Sequence, residues 1–323
     1  MTNRVLDIAD RPARLSARGG LLRIEVEGEQ ERTIPFADLA ALICANGRTV
    51  FTQAAVAELV GSGGIFVVCD GKHQPVGMMA PLVGHGEQTT LFERQAAMGA
   101  VLRKRLWRET VAAKIFAQAE ALVKQAGSGH GLDQMARRVK ARNAASMEAL
   151  ASRVYWPLLF DDRRYRRSED LDSRNALLDY GYAVVRAIAA RALCAAGLHP
   201  GLGIHHHNRY DPYPLANDLM EPFRPLVDGW AADWCTRRPG PWPLDRESKA
   251  ALLSFLTGRF SDGEERRTLF DWIERAAERL ARCIEGTKGE IAYPRIQGTG
   301  AGAGPGSQEP TERVPRDVAD CDV

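Results

Sequence analysis

Glu148 is the first residue whose surroundings suggest chemistry. It lies in a helical pattern running from Asp133 to Tyr155, and Ala144, Ala151 and Tyr155 share its face. A carboxylate on such a stripe of small and aromatic side chains is drawn towards the interior. Burial there is costly unless an opposite charge meets it. Either an arginine, such as Arg142 or Arg153, or a metal ion would do so.

Three adjacent histidines follow, His205, His206 and His207, just after Gly203. In an extended segment His205 and His207 point one way and His206 the other, so one ion cannot take all three. Imidazole is a common metal ligand. Downstream, Asp218 and Glu221 are three residues apart and share a helix face. Such a pair is met by a divalent metal or an arginine, or it forms an acidic turn at a helix start. Pro222 is expected to kink this helix and re-aim Glu221. Together these residues make a mixed nitrogen and oxygen set suited to Mg²⁺ or Mn²⁺. Those ions serve phosphodiester chemistry. The H-E-x-x-H pattern of zinc hydrolases is absent.

The elements that must position these residues read as an α+β chain. The first part is β-rich and sandwich-like. Strands are expected at Val5–Ile8, Arg14–Ala17, Leu21–Glu27, Thr33–Phe36, Ala40–Cys44, Ile65–Cys69 and Gln74–Met79. One helix, Thr52–Val60, has Thr52 as its cap. Leu22, Ile24 and Val26 alternate with Arg23, Glu25 and Glu27, the period of a half-buried strand. The second part reads as all-α, with helices at Thr90–Gln125, Asp133–Tyr155, Asn175–Ala196, Leu215–Cys235, Ser248–Thr257 and Glu264–Ile284. The expected organisation is a β-rich domain at 1–82, a linker at 83–90, an α-helical catalytic domain at 91–292 and a disordered tail at 293–323.

Net charge is only +2, but it is unevenly placed. Residues 94–167 hold 16 Lys/Arg against 6 Asp/Glu. That segregation suggests a basic face for a polyanion, with nucleic acid the first candidate, or a solvated helix surface. Arg103, Lys104, Arg105, Arg137, Arg138, Arg163, Arg164, Arg166 and Arg167 are the candidates for contacts to a DNA backbone. No apolar run is long enough to span a bilayer, and Met1–Ala17 has no signal-peptide core. A cytoplasmic protein with no membrane partner is expected. The six cysteines form no C-x-x-C pair, which argues against a zinc ribbon or a disulfide framework.

Four ordered segments resemble the CRISPR-associated Cas1 family, the spacer-integration enzymes, over about residues 1 to 290. Ser146-Met-Glu148-Ala-Leu-Ala-Ser-Arg-Val-Tyr155 looks like that family's glutamate helix. Asn175-Ala-Leu-Leu-Asp-Tyr-Gly-Tyr182 looks like its Asn-x-x-Leu-x-Tyr-Gly-Tyr helix. Gly197-Leu-His-Pro200 leads into Leu202-Gly203-Ile204-His205-His206-His207-Asn208. Asp218-Leu-Met-Glu221-Pro-Phe-Arg224-Pro225-Leu-Val-Asp228 closes the set, which looks most like the branch of type II systems.

The resemblance implies a metal held by Glu148, one histidine and Glu221, with Asp218 a second ligand or a support. Counting three residues on from Gly203 selects His206, with His205 and His207 open as alternatives. It implies a homodimer, two dimers flanking a dimer of a small partner protein, and in type II systems an RNA-guided effector. The activity implied is a metal-dependent DNA endonuclease/integrase. It joins short duplex DNA fragments into a repeat array by attack of a 3′-hydroxyl on a phosphodiester. The alternatives are a metal-dependent nuclease that cuts branched DNA without joining, and a non-catalytic DNA-binding scaffold.

Overall fold

The computed structural model describes residues 4–9, 11–70, 75–81, 86–167, 172–286 and 289–296. Among the described residues, eight strands, a 3-10 turn (Phe36–Asp38) and one α-helix come first: β1 (Arg4–Ile8), β2 (Ala13–Arg18), β3 (Leu21–Val26), β4 (Arg32–Pro35), β5 (Leu39–Cys44), β6 (Val50–Phe51), α1 (Gln53–Gly61), β7 (Ile65–Cys69) and β8 (Pro75–Met79). They form two four-stranded sheets, ordered β4-β3-β2-β6 and β1-β5-β7-β8. In the second sheet β1, β5 and β7 run parallel and β8 is antiparallel. Thr52 caps α1 by accepting from the Ala55 N–H, as its position suggests.

Side-chain alternation makes the second sheet a middle layer. Leu42, Cys44 and Phe66 face Leu15, Leu22 and Ile24 of the first sheet. Ala41, Ile43, Ile65 and Val67 face the helices instead. The continuous apolar run of β7 follows from this burial on both faces.

The helical part consists of α2 (Gln88–Ala96), α3 (Ala100–Ala126), α4 (Leu132–Arg137), α5 (Ala144–Leu159), α6 (Ser173–Ala195), α7 (Pro214–Met220), α8 (Arg224–Thr236), α9 (Arg246–Leu256), the hairpin β9 (Arg259–Ser261) and β10 (Arg266–Thr268), and α10 (Leu269–Glu285). The 27-residue α3 is the spine; α4, α5 and α8 pack along it. The α6 helix is buried on nearly every side. Gly181 lets α8 close on it, since a Cβ there would lie 2.4 Å from Val227 Cγ1.

Several expected boundaries are corrected. The helix expected over Asp133–Tyr155 is two helices. Asn143 accepts from the Lys140 N–H and donates to the Arg138 carbonyl, a local side-chain turn that competes with helix. The helix expected over Thr90–Gln125 is interrupted between Ala96 and Ala100, where Gly99 is extended. The kink at Pro222 is present: a 3-10 turn, Glu221–Phe223, separates α7 from α8. The second part is not all-α, because β9 and β10 pair before α10. The helix α2 starts inside the expected linker. Residues 293–296 leave the expected tail and lie on the helices: Ile296 is buried and the Tyr293 hydroxyl meets Thr110 at 3.1 Å. The rest of that tail, 297–323, and Cys321 lie outside the described residues.

Candidate active site

Lys114 projects from α3 between two carboxylates brought in from different elements. Its ammonium donates to Glu148 Oε1 on α5 at 2.6 Å. It also lies 2.5 Å from Glu221 Oε2 in the 3-10 turn. This second contact is a close ion pair that fixes the buried oxygen. The other Glu221 oxygen accepts from Arg224 Nη1 at 2.6 Å. The partner of Glu148 is thus Lys114, not Arg142 or Arg153.

Charge compensation holds this cluster ionised. Burial alone would raise the Glu221 carboxyl, but Arg224 and Lys114 more than offset it and hold it at about 2. Burial likewise works against the Lys114 ammonium, and Glu221 and Glu148 outweigh it and raise its pKa. Glu148 keeps 24% of its side chain exposed and Glu221 only 3%. The cluster therefore opens to solvent on the Glu148 side.

Asp218 organises the histidine loop between α6 and α7. Its Oδ2 accepts the backbone N–H groups of Ile204 at 2.6 Å and His205 at 2.9 Å. Its Oδ1 accepts the His206 N–H at 3.2 Å and meets His206 Nδ1 at 2.6 Å. A carboxylate has no proton to give, so Nδ1 carries the hydrogen and Nε2 is the nitrogen left for a ligand. The Asp218 bond raises the His206 pKa above its ordinary value, against burial. With both oxygens engaged, Asp218 braces the loop.

The loop is tied to the spine at further points. Arg103 donates to the Gly203 carbonyl at 2.6 Å. Trp107 stacks on the His205 ring at 4.1 Å, and burial lowers the His205 pKa. Gln95 donates to the His199 and Leu202 carbonyls, each at 2.8 Å. Gly203 is required here, since a Cβ would sit 2.5 Å from the His206 carbonyl oxygen.

Behind Glu221, Asp228 on α8 is fully enclosed. Tyr155 donates to it at 3.0 Å, and Tyr182 donates to its other oxygen. The Tyr182 ring carries the Arg224 guanidinium on its face, 4.0 Å from the ring centre. The chain Asp228, Tyr182, Arg224, Glu221 thus links α6, α8 and the 3-10 turn.

Among the described residues, no three His, Cys, Asp or Glu side chains converge closely enough to hold a metal ion. Two carboxylates nevertheless gather on one positive centre, one of them almost fully buried. His206 senses the charges of both Glu221 and Glu148. This donor chemistry fits a hard divalent cation at the place the Lys114 ammonium takes.

The sequence pattern of the family described as CRISPR associated protein Cas1 matches residues 6–239. The chain belongs to the Cas1 family. It is 33% identical over 218 residues to the CRISPR-associated endonuclease Cas1 of Neisseria meningitidis serogroup C, covering 67% of this chain and 70% of that one. Its fold is similar to a casposase bound to integration product, with a TM-score of 0.74 at 18% identity over 90% of this chain and 94% of that one. It is also similar to a chain of a Cas6-RT-Cas1–Cas2 complex, with a TM-score of 0.69 at 18% identity over 92% of this chain and 36% of that one.

For this Cas1 chain the expected DNA contacts divide into two groups. Lys104, Arg137, Arg138, Arg163, Arg164 and Arg166 are exposed. Arg103 is committed to the Met98 and Gly203 carbonyls. Arg167 is committed to Asp179 and Asn175. Arg105 is half-buried, with its Nε enclosed and without a hydrogen-bond partner. Sequence reasoning missed Lys114, whose signal is a single charge in Val111-Ala-Ala-Lys114-Ile-Phe116. It also missed the Tyr155–Asp228–Tyr182 network, which no spacing announces. Among the described residues no helix is long and apolar enough to cross a membrane.

Proposed function

We propose that this chain is a metal-dependent DNA integrase of CRISPR adaptation, joining short duplex fragments into a repeat array. The observation that carries this reading is the meeting of Glu148 and Glu221, from separate elements, on one positive centre. Glu148, Glu221 and His206 Nε2 would hold Mg²⁺ or Mn²⁺. When bound, such an ion neutralises charge on the phosphate and lowers the pKa of the attacking hydroxyl. Asp218 fixes the His206 tautomer and the loop. Arg224 keeps Glu221 ionised and aimed. The exposed Arg137, Arg138, Arg163, Arg164 and Arg166 neutralise the DNA backbone and set its register. The 3′-hydroxyl of the fragment forms a new P–O bond at the repeat boundary as the old P–O bond breaks. One phosphodiester replaces another, so no external energy source is needed.

The likeness to the Neisseria endonuclease supports endonuclease chemistry, and the likeness to a casposase bound to integration product and to a Cas6-RT-Cas1–Cas2 complex supports integration and assembly with a Cas2-type partner. We take the working form to be a homodimer, two dimers flanking a dimer of the small partner, with the RNA-guided effector of a type II system as a further partner.

The test is strand transfer of a labelled short duplex into a repeat-bearing plasmid, with the small partner and Mn²⁺ or Mg²⁺ present. Joined product supports the integrase. Cutting without joining selects the nuclease reading, which the relative's name alone would also fit. Binding without either reaction selects the scaffold.

A further inference from the structure

Lys114 has an unusual place for a lysine. It lies on the spine helix beside Val111 and Ile115, both fully buried, and keeps 13% of its side chain exposed. Its ammonium contacts Glu148 and Glu221. With Arg224 on the other Glu221 oxygen, two positive and two negative groups cancel. Without Lys114, Arg224 alone would face the two carboxylates, and Glu148 would lose its partner. A divalent ion placed between the two carboxylates beside Lys114 would instead leave an excess of two positive charges in a partly buried cluster. Unpaired charge is costly there. One cation has to leave for the other to enter.

We infer that Lys114 is the exchangeable cation of this site. In the metal-free protein its ammonium occupies the place between Glu148 and Glu221, and a divalent ion displaces it towards the open, Glu148 side. This rests on the reading of Glu148 and Glu221 as metal ligands. Two consequences follow. The lysine holds the carboxylates together before the ion arrives. It also weakens the apparent metal affinity, because a competitor that fills the site lowers the fraction competent to bind.

Two measurements on the full chain test this without reading activity. The first is Mn²⁺ binding, followed by the paramagnetic resonance of the free ion, for wild type, Lys114→Met and Glu148→Gln. Lys114→Met is expected to bind Mn²⁺ at least about tenfold more tightly than wild type, and Glu148→Gln to bind it weakly. The second uses wild type alone and so survives a failure of Lys114→Met to fold. It is acylation by an amine-directed reagent, read by mass spectrometry at Lys114. Labelling is expected to rise several-fold as Mg²⁺ saturates the site. The exchange is overturned if Lys114→Met binds Mn²⁺ no more tightly while Glu148→Gln abolishes binding, or if Lys114 labelling stays constant or falls with Mg²⁺. If all three proteins bind Mn²⁺ alike, the ligand reading itself fails and takes the exchange with it.

Discussion

The His206 ring nitrogen Nδ1 lies 2.6 Å from Oδ1 of Asp218, and the same carboxylate takes the backbone N–H groups of residues 204–206. One buried side chain thus fixes both the path of the loop and the tautomer of its central histidine. Asp218→Asn replaces one acceptor oxygen by an NH₂ group that opposes these donors. It is expected to cost about 1–3 kcal/mol of stability and about 10- to 100-fold in metal affinity. Denaturant unfolding and Mn²⁺ titration of the variant check this. Wild-type values in both would show that the loop does not depend on Asp218.

Burial raises the Asp228 carboxyl to about 6, despite the hydroxyls of Tyr182 and Tyr155 and the charge of Arg224. In the unfolded chain an aspartate titrates near about 4. The folded state therefore holds this proton more tightly. The contribution is full below about pH 4 and is lost as pH rises through about 6, a fall of roughly 3 kcal/mol. Asp228→Asn removes that fall. Urea midpoints between pH 4 and 7 should show wild type losing stability relative to the variant; parallel curves would contradict the assignment.

The arginines fall into structural and surface sets, with different consequences. Arg103→Ala removes donors to the Met98 and Gly203 carbonyls and should lower stability by about 0.5–1.5 kcal/mol. Arg163→Ala combined with Arg164→Ala should leave stability within about 0.5 kcal/mol. It should weaken DNA binding uniformly across sequences, and reduce the salt slope by about 0.9 for each phosphate no longer neutralised. Fluorescence anisotropy over a salt series separates the sets. An unchanged slope would place Arg163 and Arg164 off the DNA path.

Much of the fold was legible because it rests on local rules. Leu22, Ile24 and Val26 alternate as a half-buried strand must, Thr52 caps the helix that follows it, and Pro222 breaks the helix it sits in. The metal-site candidates were legible as residue types, since a carboxylate on a small-residue stripe and an acid pair need compensation. What stayed hidden depends on long-range contact. Lys114 acquires its role only when α5 and the 3-10 turn reach α3. Asp228 becomes buried only when α8 closes on Gly181. The turn made by Asn143 split a helix whose periodicity continued through it, and β9 and β10 are too short for a strand period to show. Charge counting marked Arg103 and Arg167 as surface cations, while the fold uses both internally.

The most direct test of the central claim is the rate of strand transfer by Glu148→Gln beside wild type, with the small partner and Mn²⁺ present and folding checked by thermal unfolding. Glu148 keeps part of its side chain in solvent, so the neutral amide should preserve the fold. Joining should fall by about 10²–10³-fold or more, with DNA binding retained. Joining at the wild-type rate by a folded Glu148→Gln protein would contradict the assignment of Glu148 and Glu221 to the reaction.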